Sequence, residues 1–318
     1  MFALARRLKE AGVLGINRRN ADYILIHNQR RFYPLVDDKA LTKKIATEKN
    51  IAVPALYGMV EIQADVARIP EIVAGHDDFV VKPAEGSQGL GILVVTGRPK
   101  GFYQLADGKL MDDAELAFHT SNILSGIYSL GGQPDKALFE YRVKFDPVFE
   151  AISYQGVPDV RIIVFHGIPV MAMVRLPTRM SKGKANLHRG CIGAGIDIAT
   201  GKTLTAVWRN AVVEEHPDTG NPVSGVQIPR WQTLLEIAAA SFELTGLAYQ
   251  GIDLVLDREL GPLILELNAR PGLNIQIANR AGLAARLEAA DRFRRPGLTN
   301  AERVDFARAN FKSEFVPA

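Results

Sequence analysis

Leu265-Glu266-Leu267-Asn268-Ala269-Arg270-Pro271-Gly272 ends an apolar strand with two oxygen-bearing side chains two residues apart. Side chains of a strand alternate faces, so Glu266 and Asn268 point the same way. Hard divalent cations prefer carboxylate, amide and water oxygens, which such a pair offers. Upstream, Ile252-Asp253-Leu254-Val255-Leu256-Asp257 carries a third oxygen ligand on a second strand-like run. A four-residue hairpin loop at residues 258–261 would pair Asp257 with Pro262 and set Asp253 opposite Glu266, on the face of the other two candidates. Taken singly, Asp253 and Glu266 read more simply as solvated strand residues and Asn268 as the start of a turn before Pro271-Gly272. Together they interrupt a pattern of Leu, Ile and Val that otherwise reads as buried. Burying an uncompensated carboxylate is costly, and a cation such as Mg²⁺ compensates it.

The rest of the chain sets the frame for that site. Its 318 residues, 47% hydrophobic and 23% charged, are ordinary globular material for one large domain or two to three lobes. A formal charge of +3 is too small to imply a nucleic-acid partner, and no reading motif accompanies it. Cys191 is the single cysteine, which excludes an intrachain disulfide framework, fits a reducing compartment and reads as inert. Charges in Met1-Phe2-Ala3-Leu4-Ala5-Arg6-Arg7-Leu8-Lys9-Glu10 break up what a secretory core would need, and no apolar run approaches about 18 residues. The expectation is a cytoplasmic protein without an integral membrane segment. Its first helix is basic and amphipathic, which also leaves open peripheral contact with a membrane or partner.

Strand-like and helix-like segments alternate without internal repeats, so the fold class is mixed α and β. Residues 37 to 49 read as a capped helix that ends before Ile51-Ala52-Val53-Pro54. Strands follow at Phe79-Val80-Val81-Lys82 and Gly91-Ile92-Leu93-Val94-Val95, a helix near residues 112–127, and a strand at Ala137-Leu138-Phe139-Glu140-Tyr141-Arg142-Val143. Residues 161–165 and 170–175 flank the turn His166-Gly167-Ile168-Pro169 as a hairpin. Trp231, Leu234, Leu235, Ala238 and Phe242 recur at helical spacing and read as core. Thr299-Asn300-Ala301-Glu302 has the form of a capping box opening a last charged helix, a strut or a joint between the subunits of a homo-oligomer.

A second chemical element is Val81-Lys82-Pro83-Ala84-Glu85-Gly86-Ser87-Gln88-Gly89-Leu90-Gly91-Ile92. Glycines at 86, 89 and 91 let backbone N–H groups approach phosphate oxygens, and Lys82 places a point charge on the same phosphates. No Lys-Ser/Thr helix follows and the preceding unit looks antiparallel, so this is neither a Walker A loop nor a Rossmann turn. A Gly-rich hairpin tip is structural about as often as it is functional.

With the lysine and the distant oxygen set, the loop resembles that of the ATP-grasp superfamily, and most closely its amide-forming branch, which contains ribosomal-protein glutamate ligases, glutathione synthetases and D-alanine–D-alanine ligases. The resemblance covers roughly residues 35 to 285. It is carried by Phe79-Val80-Val81-Lys82-Pro83 with its loop, by Phe139-Glu140-Tyr141-Arg142-Val143, and by Gly251-Ile252-Asp253 followed by Glu266-Leu267-Asn268-Ala269-Arg270-Pro271-Gly272. Lys184-Ala185-Asn186-Leu187-His188-Arg189-Gly190-Cys191-Ile192-Gly193 is similar to the Arg-Ser-Asn and glycine-pair segment of ribosomal-protein glutamate ligases. With Gly272-Leu273-Asn274-Ile275-Gln276-Ile277-Ala278-Asn279 it suggests an alpha-L-glutamate ligase-like subgroup linked to cell-surface sugar or peptide modification.

What the resemblance implies is an α+β ATP-grasp fold, with ATP bound between the antiparallel sheets of two lobes and a reduced N-terminal domain. The implied segments are 1–36, N-terminal; 37–137, the first lobe with the phosphate loop; 138–290, the second lobe with the metal and substrate site; and 291–318, a helical tail. Lys39 and Lys82 would bind phosphates, with Lys43 and Lys44 as rivals of Lys39. Gly86, Ser87, Gln88 and Gly89 would close over the phosphates, and Glu140, Tyr141 and Val143 would hold ribose and adenine. Asp253, Glu266 and Asn268 would carry Mg²⁺, two ions in all, with Mn²⁺ as an alternative. Arg161, Lys184 and Asn186 would act on the transferring phosphoryl group or a substrate carboxylate, although Arg161 could instead pair with a carboxylate structurally. Arg270 could select an anionic substrate or simply pair with an acid. The implied reaction is ADP-forming: a carboxylate takes the γ-phosphoryl group, and an amine, that of glutamate or another amino acid, displaces phosphate to give an amide. An ATP-grasp phosphotransferase and an inactive nucleotide-binding scaffold are the alternatives.

Overall fold

A computed structural model describes residues 2–86 and 89–313, and the chain divides into two compact units. The smaller comprises residues 37–48 and 53–143, and the larger comprises residues 1–36, 49–52 and 144 onward. The chain opens in the larger unit with helix α1 (Phe2–Glu10), followed by short helical turns that include a π-helical stretch, Arg19–Ile24.

The smaller unit begins with α2 (Lys39–Glu48), in which Thr42, Lys43 and Ala46 are buried on one face. Its sheet contains β1 (Leu56–Val60), β2 (Phe79–Pro83), β3 (Leu93–Gly97), β4 (Tyr103–Leu105), β5 (Leu110–Met111) and β6 (Ala137–Glu140). The order is β1-β6-β2-β3-β4-β5, antiparallel throughout. Helix α3 (Asp113–Leu124) starts at a capping box, with the Glu115 N–H donating to Asp112 and the Asp112 N–H to Glu115. It ends earlier than the apolar pattern suggests, because Gly126 takes a positive φ of 81° just beyond it. Leu116 and Ile123 of α3 meet Phe79, Val81, Val95, Tyr103 and Phe139 in one apolar core, which fixes the sheet that carries Lys82 and Glu140.

The larger unit is built on a second antiparallel sheet: β7 (Asp159–Phe165), β8 (Ile168–Leu176), β9 (Ile192–Ile196), β10 (Thr203–Trp208), β11 (Ala211–Val213), β12 (Tyr249–Asp257) and β13 (Gly261–Asn268). The order is β11-β10-β9-β8-β7-β12-β13. Helices α4 (Trp231–Thr245), α5 (Ala284–Phe293) and α6 (Asn300–Asn310) and the short helical turn Ile275–Ala278 pack on it, the last against β9, which explains why β8, β9 and β12 read as apolar runs rather than alternating ones. The expected stripe of α4 is buried at Trp231, Leu234, Leu235 and Ala238, and the Trp231 indole donates to the Ile198 carbonyl at 2.9 Å. The Thr299–Glu302 capping box opens α6. Among the described residues no helix is long and apolar enough to cross a membrane.

Both site-bearing hairpins differ in register from the simple reading. The β7–β8 turn is two residues, His166 and Gly167, both at positive φ, so Ile168 and Pro169 belong to the strand. Ile163 then pairs with Met171 while Val164 pairs with Pro169, leaving Val170 as a bulge. In β12–β13 the loop is three residues rather than four, and Asp257 pairs with Gly261, not Pro262. A bulge at Leu265 adds back the missing residue, and Asp253 does lie opposite Glu266.

Candidate active-site residues

In the larger unit the β7–β12–β13 ladder sets Arg161 opposite Asp253 and Asp253 opposite Glu266. Arg161 grips Asp253 bidentately, Nε to Oδ1 at 2.7 Å and Nη2 to Oδ2 at 2.6 Å. Arg175 donates to the same Oδ2 at 2.8 Å and also holds Asp159 through Nε and Nη2, at 2.5 and 2.6 Å. Two carboxylates and two guanidiniums thus alternate in a chain with no net charge, and both carboxylates are buried. Burial works against the charge of Asp253, but Arg161 and Arg175 outweigh it and hold the carboxyl down to about 2. Asp159 goes the other way, up to about 6: burial and the like charge of Asp253 overcome its one close partner, Arg175.

Asn268 turns its amide nitrogen to Asp253 Oδ2 at 3.2 Å, an orientation that aims its oxygen elsewhere. Glu266 and Asn268 are both half-buried, whereas Asp253 is sealed. The donor set is all oxygen and suits Mg²⁺ or Mn²⁺. Glu266 and Asn268 would supply the accessible ligands, and Asp253 would join them by yielding one of the bonds that the arginines hold.

Other candidates lie apart from this ladder. Asn186 caps a short helical turn, its Oδ1 accepting from the His188 N–H at 2.9 Å. Lys184 stands near Lys182 and Arg189, and burial together with those charges lowers its pKa. Cys191 is buried beside the Asp–Arg chain, and burial pushes its thiol up to about 12, which disfavours the thiolate. Arg270 is exposed, lies over the Tyr33 ring at 4.9 Å, and lines a cavity of about 180 Å³ with Asn20, Ile24, Leu25, Arg30 and Tyr33. The N-terminal segment is tied to the motif that follows Arg270: Arg19 donates to the Pro271 carbonyl at 2.7 Å, and Gln276 brackets the backbone of Leu14.

In the smaller unit Glu140 is buried with a lysine on each carboxylate oxygen, Lys82 at 2.6 Å and Lys43 at 2.8 Å. Lys43 also donates to the Pro54 carbonyl at 2.6 Å. Burial lowers its pKa to about 8, and Lys82 adds to that while Glu140 resists it. With one lysine on each oxygen, Glu140 keeps lone pairs that could accept from a ribose hydroxyl. Lys39 reaches the phosphate loop instead, donating to the carbonyls of Ala84 and Gly86 at 3.2 and 2.8 Å. Lys44 is exposed. Tyr141 is half-buried with its N–H on the Ala55 carbonyl, and Val143 is buried.

The loop has its own anchor, Asp135, which accepts from the Glu85 N–H and from the Ser129 hydroxyl, the latter at 2.6 Å. Gly89 has a positive φ. So does Gly91, where a Cβ would also strike the Tyr128 ring at 2.6 Å, which gives that glycine a packing reason of its own. Ser87 and Gln88 lie outside the described residues.

Sequence reading did not give the Asp159–Arg175 pair, and it had Lys43 only as a rival of Lys39 for phosphate, not as a partner of Glu140. Lys43 had a signal, since it shares the helical face of Lys39 and Ala46 whereas Lys44 does not.

A sheet presenting a buried lysine beside a glycine loop, and a second presenting an Asp opposite a Glu-x-Asn, define an ATP-grasp protein. The chain belongs to the sugar-transfer associated ATP-grasp family, whose model matches residues 18–292. This bears out the resemblance and the α+β fold class read from the sequence. Among curated proteins it is 25% identical over 264 residues to one named "Probable alpha-L-glutamate ligase" from Halorhodospira halophila, covering 82% of this chain and 65% of that one. It is 23% identical over 236 residues to another of that name from Ectopseudomonas mendocina, covering 74% and 56%. The chain therefore spans less than two thirds of the length of these relatives. Similar solved structures include the ATP-grasp ligase PsnB with a minimal precursor, at a TM-score of 0.47 and 13% identity over 83% of this chain and 61% of that chain. Another is D-alanine–D-alanine ligase from Bacillus anthracis, at 0.43 and 14% over 87% and 67%.

Proposed function

We propose that this protein is an ADP-forming carboxylate–amine ligase that joins an amino acid, with glutamate the first candidate, to a carboxylate-bearing acceptor. The observation that carries the reading is the pairing of Asp253 with Glu266 and Asn268 on one ladder, in a chain of the ATP-grasp family. Relatives named alpha-L-glutamate ligase support the choice of amino acid.

In this reading Lys82 and Lys39 bind phosphates, and the loop of residues 86 to 89 covers them. Glu140, held by Lys43 and Lys82, sits at the nucleoside with Tyr141 and Val143. Glu266 and Asn268, with Asp253, hold Mg²⁺, which when bound neutralises phosphate charge. Arg161 is kept beside them by Asp253 and faces the transferring phosphoryl group, with Lys184 and Asn186 serving the same centre. One carboxylate oxygen of the acceptor bonds to the γ-phosphorus as ADP leaves. The amine then adds to the acyl carbon, loses a proton, and phosphate departs. Arg270 and Arg30, at the cavity that also contains Asn20 and Tyr33, take an anionic part of a substrate. ATP as substrate and a single buried cysteine fit the cytoplasm.

The test is a phosphate-release screen of the full chain with ATP, Mg²⁺, candidate acceptors and amines, with products identified by mass. The proposal expects ADP and an amide only when both acceptor and amine are present. A phosphorylated product that accumulates without any amine would replace it with the phosphotransferase reading, and AMP with pyrophosphate would refute it.

A further inference from the structure

Three ligand-type side chains from distant parts of the chain meet outside the site described above. His27 ends the helical turn Leu25–His27, His166 is the first residue of the β7–β8 turn, and Asp291 lies on α5. The ring nitrogens His27 Nδ1 and His166 Nε2 are 3.2 Å apart, and all three donor atoms lie within 4.8 Å of one another. His166 is five residues along the chain from Arg161, or about 17 Å along a strand, so this is a different place from the Asp253 ladder.

We infer that His27, His166 and Asp291 form a binding site for a borderline transition-metal ion of the Zn²⁺, Co²⁺ or Ni²⁺ class, which ties the N-terminal segment, the β7–β8 turn and α5 together. Two nitrogens bound to one tetrahedral zinc at about 2.0–2.1 Å lie roughly 3.4 Å apart, close to the separation found here. Imidazole nitrogens select this class over Mg²⁺, which favours oxygen. With three protein ligands the remaining position falls to water.

The surroundings hold the rings in place. His27 stands edge-on to Phe165 at 5.0 Å, and His166 packs on Phe165 at 4.5 Å and Phe242 at 5.8 Å. Such a collar limits turning of the imidazoles and lowers the local dielectric. Burial keeps both rings neutral, His166 down to about 4, with Arg294 and His27 adding to the effect, and a neutral ring is the form that ligates. Two cations face the cluster. Arg303 is already paired with Glu243 at 2.6 Å. Arg294 holds Asp291 Oδ1 at 2.6 Å, but both partners are nearly half-exposed, so the pair yields readily and the carboxylate has a second oxygen.

The competing account is a plain His–His hydrogen bond at 3.2 Å beside the Asp291–Arg294 ion pair, with no ion between them. The full chain, stripped of metal with chelator, is titrated with Zn²⁺ by calorimetry and with Co²⁺ by visible absorption. With the oxygen site kept filled by saturating Mg²⁺, the expected result is one Zn²⁺ or Co²⁺ per chain, a Co²⁺ spectrum of low coordination number, and a raised melting temperature with Zn²⁺. His166→Asn, chosen because Asn suits a positive-φ turn position, and Asp291→Asn should each weaken binding at least tenfold. Binding that survives His166→Asn and His27→Gln undiminished, or the lack of any stoichiometric binding by the wild-type chain, would overturn the inference and leave the hydrogen bond.

Discussion

Replacing Asp253 with Asn separates two roles that this residue could have. As a metal ligand alone, its removal from metal-free protein should cost little. The structure makes it a hub: its two oxygens accept from Arg161 twice, from Arg175 and from Asn268, and its side chain is 2% exposed against 12% for each arginine. Two unit charges about 4 Å apart interact by roughly 4 kcal/mol at an effective dielectric near 20. The Asn variant leaves two arginines to share Asp159, and one buried positive charge goes uncompensated. Removing one partner of such a set costs about 3–5 kcal/mol. Urea unfolding of metal-free Asp253→Asn should therefore show a loss in that range. Asp253→Asn with Arg161→Met removes the surplus charge as well, and should recover at least about 1.5 kcal/mol relative to the sum of the single changes. The reasoning is refuted if metal-free Asp253→Asn unfolds within about 1 kcal/mol of wild type, or if the two substitutions are additive.

Two further outcomes follow from the buried charges. Asp159 binds its proton more tightly folded than unfolded, so its contribution favours folding below its ordinary range near pH 4 and is lost as pH rises through about 6. Asp159→Asn should flatten the pH dependence of stability between pH 4 and 7, and should leave the fall toward pH 2, where Asp253 gains its proton, in place. Denaturant titration across that range reads both limbs, and an unchanged slope between pH 4 and 7 would count against the assignment. Lys43→Met removes one of the two cations on buried Glu140 and should destabilise by about 3 kcal/mol. Lys44→Met, on the exposed face of α2, should stay within about 0.5 kcal/mol, and equal effects of the two would show that Lys43 does not hold Glu140.

How far the sequence could be read depended on register. Asp253 falls opposite Glu266, but by two departures that cancel: a loop one residue shorter and a bulge at Leu265. A period-2 pattern cannot show either one, because both acidic residues remain on the same face. The β7–β8 hairpin had no such protection. A turn spanning His166 to Pro169 would set Val160 opposite Arg175, whereas the two-residue turn and the bulge at Val170 set Asp159 there. That one-residue slip concealed the Asp159–Arg175 pair and with it the second cation on Asp253. Lys82 and its glycine loop were legible because lysine in an apolar strand followed by closely spaced glycines is a local signal. Glu140 was singled out, yet what surrounds it depends on which face of α2 is buried, a tertiary outcome that places Lys43 there and Lys44 in solvent.

The central claim is that Glu266 and Asn268, with Asp253 behind them, hold the cation that makes ATP reactive. The most direct measurement is ADP formation by Glu266→Gln beside wild type, with acceptor and amine present, over a Mg²⁺ titration, and with folding checked by urea. The account predicts that the variant keeps wild-type stability within about 1 kcal/mol and loses ADP formation at every Mg²⁺ concentration. A folded variant that still makes ADP with an unchanged Mg²⁺ dependence would contradict it.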